Sequence, residues 1–181
     1  METGRRIAPL VVAWYCLSGC ASQSIYFDSL RPVPTNDSSR SSITDVSSGV
    51  RGVVSLPHRD LIRVDFTSGT DLRDMVVLEG SILVERSYFC DRGENFGALG
   101  GPGVYVDLKD AGRDKLVKQF LFFIDVSRRS SPSEPGFDLS VNAAEICFYI
   151  SAKSGAASYQ SNVERIPKAA IEHVFIGWEL H

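Results

Sequence analysis

The hydrophobic and polar residues of this chain alternate with a period of two over much of its length. The clearest run covers 61–67, where apolar Ile62, Val64 and Phe66 alternate with polar side chains. Successive side chains of a β-strand point to opposite faces of a sheet, so this alternation predicts a strand with one buried face. The almost wholly apolar run 116–126 predicts instead a strand in the centre of a sheet, covered on both faces. Further strands are predicted at 75–79, 82–89, 103–108, 137–141, 144–151, 162–166 and 171–178.

The residues between these runs indicate how the strands connect. Gly, Pro, Ser and Asn separate short strands, which is typical of a mainly β, antiparallel sandwich or jelly-roll-like single domain with little helix. Gly80-Ser81 suits a tight hairpin turn between 75–79 and 82–89, although one long bulged strand fits the pattern equally well. Short helical turns are expected at 110–119 and, after Pro167, at 167–171.

The first 20 residues have the layout of an export signal: two arginines, an apolar run, and small residues around a cysteine. The motif Leu17-Ser18-Gly19-Cys20 resembles the lipobox of bacterial lipoproteins. The resemblance implies that a signal peptide of residues 1–19 is removed and that Cys20 becomes a lipidated N-terminus carrying fatty acids such as palmitate. Acyl chains of this kind hold a protein firmly to a bilayer.

The same segment bears on which membrane is involved. The apolar run over 7–17 contains Pro9 and falls short of the roughly 20 residues that a membrane-spanning helix needs. An ordinary secretory signal, cleaved elsewhere, is the alternative interpretation. In Gram-negative lipoproteins Asp after the lipidated cysteine favours the inner membrane, and this chain has Ala21. The resemblance therefore implies a bacterial envelope protein on the periplasmic side of the cell outer membrane.

Residues 20–49 read as a flexible tether between this signal and a domain at 50–181. The segment is rich in serine and contains Pro32 and Pro34, and such a composition buries too little apolar area to offset its ordering entropy. The short cluster at 25–27 is the exception, and it could dock on the domain or on a partner.

Two cysteines remain once Cys16 leaves with the signal and Cys20 takes the lipid. Export places Cys90 and Cys147 in an oxidising compartment, where disulfides persist, so we expect a bridge between them. Two buried free thiols are the alternative, because cysteine is among the most buried residue types.

Two loops contain residue types that can bind a ligand, but neither has the spacing of a known ligand-binding motif. The glycine-rich stretch 97–103 matches neither a dinucleotide fingerprint nor a P-loop, and Pro102 removes a backbone donor, so we interpret it as a connecting loop. Asp107, Asp110 and Asp114 could offer oxygen ligands to calcium, but their spacing is not that of an EF-hand. A solvated acidic turn is favoured, and neither a metal nor a cofactor is expected.

Candidate catalytic residues are sparse. The chain has no G-x-S-x-G motif, and the closest pair of the right chemistry is His58 with Asp60. Such a pair is more often a turn with a local hydrogen bond than part of a triad, which geometry defines. Aromatic side chains with a polar end suit recognition better, and Tyr149, Tyr159 and Trp178 are the candidates for a binding surface. We expect Tyr159 in particular at the surface.

These observations favour a lipid-anchored envelope protein that acts as a non-enzymatic binding or assembly module. Its expected partners are the membrane, through the lipid, and envelope proteins or a glycan. A net charge of −3 without a basic block argues against nucleic acid. The alternatives are a lipid-anchored hydrolase of envelope polymers, built on His58 and Asp60, and a carbohydrate-binding module. An assembly module predicts exposed apolar surface, a glycan binder predicts aligned aromatic rings, and a hydrolase predicts polar residues that converge in a cleft.

Overall fold

The computed structural model describes residues 23–48, 54–94, 98–107, 118–132, 135–155 and 157–178. Residues 1–22, which include the expected signal segment and Cys20, lie outside the described residues, as do Asp110, Asp114 and most of the helical turn expected at 110–119. In chain order the elements are β1 (Ile25–Val33), a 3-10 helix (Ser38–Ser42), β2 (Ile43–Asp45), β3 (Leu61–Ser68), α1 (Leu72–Glu79), β4 (Ile82–Phe89), β5 (Tyr105–Asp107), β6 (Gln119–Asp125), β7 (Ser127–Arg128), β8 (Phe137–Asp138), β9 (Ile146–Ser154), β10 (Ala157–Gln160), β11 (Glu164–Ile166) and α2 (Lys168–Trp178).

The larger sheet has five antiparallel strands in the order β1-β3-β6-β5-β2. Strand β3 pairs along its whole length with β1 on one side and nearly so with β6 on the other. At one end of the sheet Ile25 lies opposite Ser68, and at the other end Val33 lies opposite Leu61. The larger sheet therefore has two ends. One end holds Ile25 and the last residue of β3, and the other holds Val33 and the first residue of β3.

The smaller sheet is built around β9. Strand β4 pairs with β9 from Ile82 opposite Lys153 to Phe89 opposite Ile146, and β10 and β11 pair with the other side of β9. All of these pairings are antiparallel. The expected mainly β, antiparallel, sandwich-like domain is confirmed.

The main core lies between the two sheets, and a second cluster covers the outer face of the larger one. Four phenylalanine rings from β3, β6 and β9 form the centre of the main core, with ring centroids 4.9–6.0 Å apart: Phe66, Phe120, Phe122 and Phe148. The second cluster is formed by side chains that point to the opposite face of the larger sheet. Its buried members are Val33, Ile43, Leu61, Leu121 and Phe123. Strand β6 is buried on both faces, as its apolar run predicted.

The prediction of a strand at 75–79 is wrong, because this segment belongs to helix α1. Asp71 caps the helix by accepting a hydrogen bond from the Arg73 N–H, and Gly80 ends it in the left-handed conformation, with φ 63°. Leu72, Met75 and Val76 are buried at helical spacing. A run of consecutive apolar residues fits both periods, and here the two caps decide for the helix, so the segment forms no hairpin with β4.

The strand expected at 171–178 is also wrong. The helical turn expected after Pro167 continues through the segment to form α2, so His173 lies on a helix rather than a strand. Proline at the start of a helix loses no hydrogen bond, since the first N–H groups have no intrahelical partner. Ile171 and Val174, three residues apart, are buried on one side of α2.

The flexible tether expected over 20–49 is wrong for 25–45, which carries β1 and β2 of the larger sheet. Ile25 and Val33 at the two ends of β1 are buried, and the backbone between them pairs with β3. The Ile25 N–H also donates to the Asn162 side chain, 2.7 Å away. Backbone pairing with β3 orders 25–33 of this serine-rich segment, and composition does not show such pairing.

Candidate functional site

A cleft of about 260 Å³ opens at the end of the larger sheet where β3 begins and β6 ends. Asp60 precedes β3 and Val126 follows β6, and the pairing of Leu61 with Asp125 makes these two ends neighbours. Ser140 enters the cleft from the loop after β8, and α2 supplies its aromatic side. The lining residues are Asp60, Val126, Ser140, Phe175 and Trp178.

The aromatic wall of the cleft comes from one side of α2. Phe175 and Trp178 lie three residues apart, which places them on the same face of a helix. Their rings stack with centroids 5.8 Å apart and planes 10° apart. Both side chains are partly buried against the main core, so the core holds the wall in position.

The polar groups of the cleft are held by local hydrogen bonds. The Asp60 carboxylate accepts from the Thr35 N–H at 3.1 Å and from the Thr35 hydroxyl at 3.0 Å, both through Oδ1. The Ser140 hydroxyl donates to Asp138 at 2.5 Å. A flat apolar wall beside a fixed carboxylate and a hydroxyl can bind a group that has one apolar face and hydrogen-bond donors at its edge.

A buried carboxylate lies beside the cleft, one residue before Val126. Asp125 is 4 % exposed, and its partner Arg59 lies 2.8 Å away, from Nε to Oδ1. Burial raises the pKa of Asp125, and the charges of Arg59 and Arg128 act in the opposite direction. Asp125 is thus ion-paired with Arg59, and this pair holds the loop before β3 against the end of β6.

The structure does not join His58 and Asp60 into a catalytic pair. His58 is exposed, and among the described residues the Asp60 carboxylate bonds to Thr35 instead. Only Asp60 of this pair lines the cleft. The pair therefore gives no basis for the hydrolase alternative.

The three aromatic candidates for a binding surface lie apart. Trp178 lines the cleft, whereas Tyr149 lies on the smaller sheet, is 8 % exposed and donates from its hydroxyl to Glu94 at 3.1 Å. Burial and the Glu94 carboxylate raise the pKa of Tyr149. Tyr159 on β10 is partly buried and packs against the main core, rather than standing free at the surface.

The disulfide between Cys90 and Cys147 is present, as expected. It joins the residue after β4 to β9, with the two Cα atoms 5.1 Å apart. The glycine-rich stretch is a loop in its described part, 98–103, and its backbone covers the free edge of β4. The Glu85 N–H donates to the Pro102 carbonyl at 3.0 Å, and the Leu99 N–H to the Ser87 carbonyl at 3.1 Å.

Asp107, which the sequence assigned to a solvated acidic turn or to a calcium site, is instead buried and ion-paired. Arg63 Nη1 lies 2.6 Å from Asp107 Oδ2, and both side chains are nearly fully buried. In the part of the chain that the structure describes, no three His, Cys, Asp or Glu residues group as metal ligands. Within the same residues, no helix has the length and apolarity to cross a membrane.

Sequence reasoning named Asp60 and Trp178 separately and missed Val126, Ser140 and Phe175. It also missed a buried carboxyl on β4. Glu85 is 1 % exposed, and neither of its carboxyl oxygens has a hydrogen-bond partner among the described residues. Burial raises the pKa of Glu85 to about 8. The Ser87 hydroxyl, which is close but does not meet hydrogen-bond geometry, and the charge of Arg86 act in the opposite direction. The stacked pair on α2 had one available signal, aromatic residues three apart.

Comparison of the chain with protein-family models, with curated proteins and with solved structures finds no match.

Proposed function

We propose that this protein is a bacterial lipoprotein, anchored in the outer membrane through acyl chains on Cys20, and that it acts as a non-enzymatic binding module facing the periplasm. The anchor rests on the lipobox-like residues 17–20. The binding role rests on one observation: the cleft between Asp60 and Trp178 combines an aromatic wall with a fixed carboxylate.

The position of the cleft supports this role. Ile25, the first residue of β1, lies opposite Ser68 at one end of β3, and Asp60 precedes the other end. The eight residues of β3 span about 25 Å at roughly 3.3 Å per residue. An anchor a few residues before Ile25 therefore leaves the cleft at the far end of the sheet, away from the lipid.

The surroundings of the cleft favour a protein as the partner. Val141 and Ile176 are 73 % and 64 % exposed, and each directly follows a lining residue, Ser140 or Phe175. Large apolar side chains beside a concave aromatic site extend the surface that a partner can bury. An envelope protein that inserts an apolar side chain, with a neighbouring hydrogen-bond donor for Asp60, fits this arrangement.

Site-specific photo-crosslinking in living cells tests the proposal. A benzophenone amino acid in place of Ile176 should capture the same envelope protein in repeated experiments. The matched control replaces Val163, which is 44 % exposed and lies just before β11. Asp60→Ala should weaken capture from position 176. Equal capture from both positions, or capture that Asp60→Ala leaves unchanged, would contradict a partner at the cleft.

The anchor has its own test. Cys20→Ala should leave an unlipidated precursor of higher mass, and mass spectrometry of the purified protein should show the acyl groups on the unaltered chain. A Cys20→Ala variant processed like the parent would remove the lipoprotein part of the proposal.

A carbohydrate is the second candidate ligand, because one observation favours it. The stacked rings of Phe175 and Trp178 beside the Asp60 carboxylate offer an apolar face and a hydrogen-bond acceptor, the two contacts that a sugar ring can satisfy together. Retention on an envelope glycan matrix should then fall with Trp178→Ala and remain with Tyr149→Phe, since Tyr149 lies away from the cleft.

A further inference from the structure

We infer that the corner of the domain formed by Val77, Leu78 and Ile82, called the apolar corner below, lies on the surface of the bilayer that holds the lipid anchor. The inference rests on the proposed acylation of Cys20. It adds an orientation of the domain on the membrane and a second, non-covalent contact with lipid.

The apolar corner exposes three large hydrophobic side chains within six residues. Val77 is 60 % exposed, Leu78 is 78 % exposed and Ile82 is 56 % exposed. Helix α1 buries Leu72, Met75 and Val76 on its other side, so Val77 and Leu78 lie on the face that the domain leaves uncovered. Contiguous exposed apolar residues of this kind mark a contact with a partner or with lipid.

The chain between the anchor and the domain is too short to carry the corner away from the membrane. The Gln23 amide donates to the Met75 sulfur on α1 at 2.7 Å, and the Gly69 N–H donates to the Ser24 carbonyl at 2.7 Å. Residue 23 thus lies against the helix itself. The three residue steps from Cys20 to Gln23 span at most about 11 Å, so the acyl chains begin close to α1.

The same contacts set the orientation. Ile25 is fully buried opposite Ser68, so the sheet cannot release more chain at this end without losing core packing. With the anchor fixed beside α1, the exposed side of the helix faces the lipid headgroups. An amphipathic helix placed there inserts its apolar side chains at the boundary between headgroups and acyl chains.

Charge around the apolar corner is balanced, so the contact depends on apolar insertion. The acidic residues nearby in the described chain are Asp71, Asp74 and Glu79, and the basic ones are Arg73, Lys118 and Lys153. Arg73 pairs with Asp71 at 2.5 Å, and Lys118 donates to the Gly69 carbonyl at 2.7 Å. Because the covalent anchor keeps the local concentration of lipid high, a small apolar contact suffices. The contact should be insensitive to salt.

Quenching by brominated lipid tests the orientation directly. The native acylated protein is placed in vesicles of phosphatidylethanolamine and phosphatidylglycerol, with and without bromine on the acyl chains. In a Leu78→Trp variant, the added tryptophan emission should be largely lost in brominated vesicles, at low and at high salt. The matched control is Val141→Trp at the far end of the domain, a similarly exposed site whose added emission should persist. The unaltered protein supplies the background of Trp178.

The outcomes separate this inference from the anchor. Quenching at 78 and not at 141 supports the membrane contact. An acylated mass with no quenching at 78, or with equal quenching at both sites, overturns the contact and leaves the anchor standing. A mass without acyl groups overturns the proposed anchor and the contact with it.

A second measurement avoids the added tryptophan. Hydrogen exchange of the amides of 72–79 should slow when the acylated protein is moved from detergent to vesicles. The double variant Val77→Ser/Leu78→Ser, still held by its acyl chains, should lose this slowing. Slowing that persists in the double variant contradicts insertion of the two side chains.

Discussion

The larger sheet buries its charges in pairs, whereas the smaller sheet buries a carboxyl alone. On the outer face of the larger sheet Arg63 is 4 % exposed and bonds to Asp107 at 2.6 Å and to Asp65 at 2.7 Å. On the inner face of the smaller sheet Glu85 is 1 % exposed, with no hydrogen-bond partner for either oxygen among the described residues. The two sheets of one domain thus satisfy buried charge in opposite ways.

The difference teaches where the domain responds to pH near neutrality. In a buried ion pair, the partner's opposite charge and hydrogen bonds take the place of the lost water. A lone buried carboxyl instead keeps its proton, and burial raises the pKa of Glu85 to about 8. At neutral pH the core between the sheets therefore contains a neutral acid rather than an ion.

The largest effect on stability is expected from replacing Glu85, which removes the contrast between the two sheets. Its pKa is about 8 in the folded protein against 4.5 for the ordinary group, so the folded state holds a proton that the unfolded state releases between these values. Stability should therefore fall as pH rises from 4.5 to 8, by up to roughly 5 kcal/mol from this group. In Glu85→Gln this part of the dependence should be absent, which urea unfolding at several pH values measures.

The control for this prediction is Glu79→Gln at the exposed end of α1, in which stability should fall with pH as it does in the parent. Glu85→Leu should stabilise the protein at pH 8 even more clearly, because it also removes the unsatisfied polar group. If parent and Glu85→Gln lose stability in parallel from pH 4.5 to 8, Glu85 is not the group that titrates.

The second-largest effect on stability is expected from a variant that leaves a buried carboxylate of the larger sheet without its partner, as in the smaller sheet. Arg63→Ala leaves the buried Asp107 without its closest partner, which should destabilise the fold by roughly 3–5 kcal/mol. Unfolding in urea measures the loss. Arg31→Ala is the matched control, since Arg31 contacts the same carboxylate at 3.5 Å with a side chain 44 % exposed, and it should cost far less. Equal losses in the two variants would show that burial of the pair is not what matters.

The third effect on stability is expected from removing the disulfide, a covalent link that lies on the smaller sheet. The disulfide between Cys90 and Cys147 closes a long segment, with a sequence separation of 57, and joins β4 to β9. Removing it in Cys90→Ala/Cys147→Ala should cost roughly 2–4 kcal/mol, chiefly by freeing the unfolded chain. A reducing agent should shift the urea midpoint of the parent and not that of the double variant. A parent that is unaffected by complete reduction contradicts the prediction.

The sequence could predict the elements whose local pattern had only one interpretation. Alternation identified β3, and an almost wholly apolar run identified β6 as buried on both faces. The oxidising compartment expected from the signal-like residues 1–20 led to the prediction of the disulfide, which the structure contains. In each case the deciding information lies within a short segment or in the cellular context.

Elements that depend on distant partners were missed. Strand β1 is ordered by pairing with β3, roughly thirty to forty residues away, and the serine-rich composition of 20–49 gives no sign of that partner. The cleft collects side chains from Asp60 to Trp178, and no local pattern states that they meet. Burial of Glu85 is equally invisible, because a glutamate in a strand is ordinarily placed on the solvent face. Helix α1 differs, since its caps at Asp71 and Gly80 are local signals that the apolar run outweighed.

The smallest expected effect lies in α1, the helix that connects β3 of the larger sheet to β4 of the smaller one. Asp71 accepts the Arg73 N–H at 3.0 Å, and its loss in Asp71→Ala should cost about 1 kcal/mol. The Arg73 side chain lowers the pKa of Asp71 below its usual 3.8, so this contribution should be present above that pH and vanish in more acidic solution, opposite to the trend for Glu85. Thermal unfolding of Asp71→Ala and of the exposed-site control Asp74→Ala measures the difference, and equal losses at the two positions would mean that the cap does not stabilise the junction of the sheets.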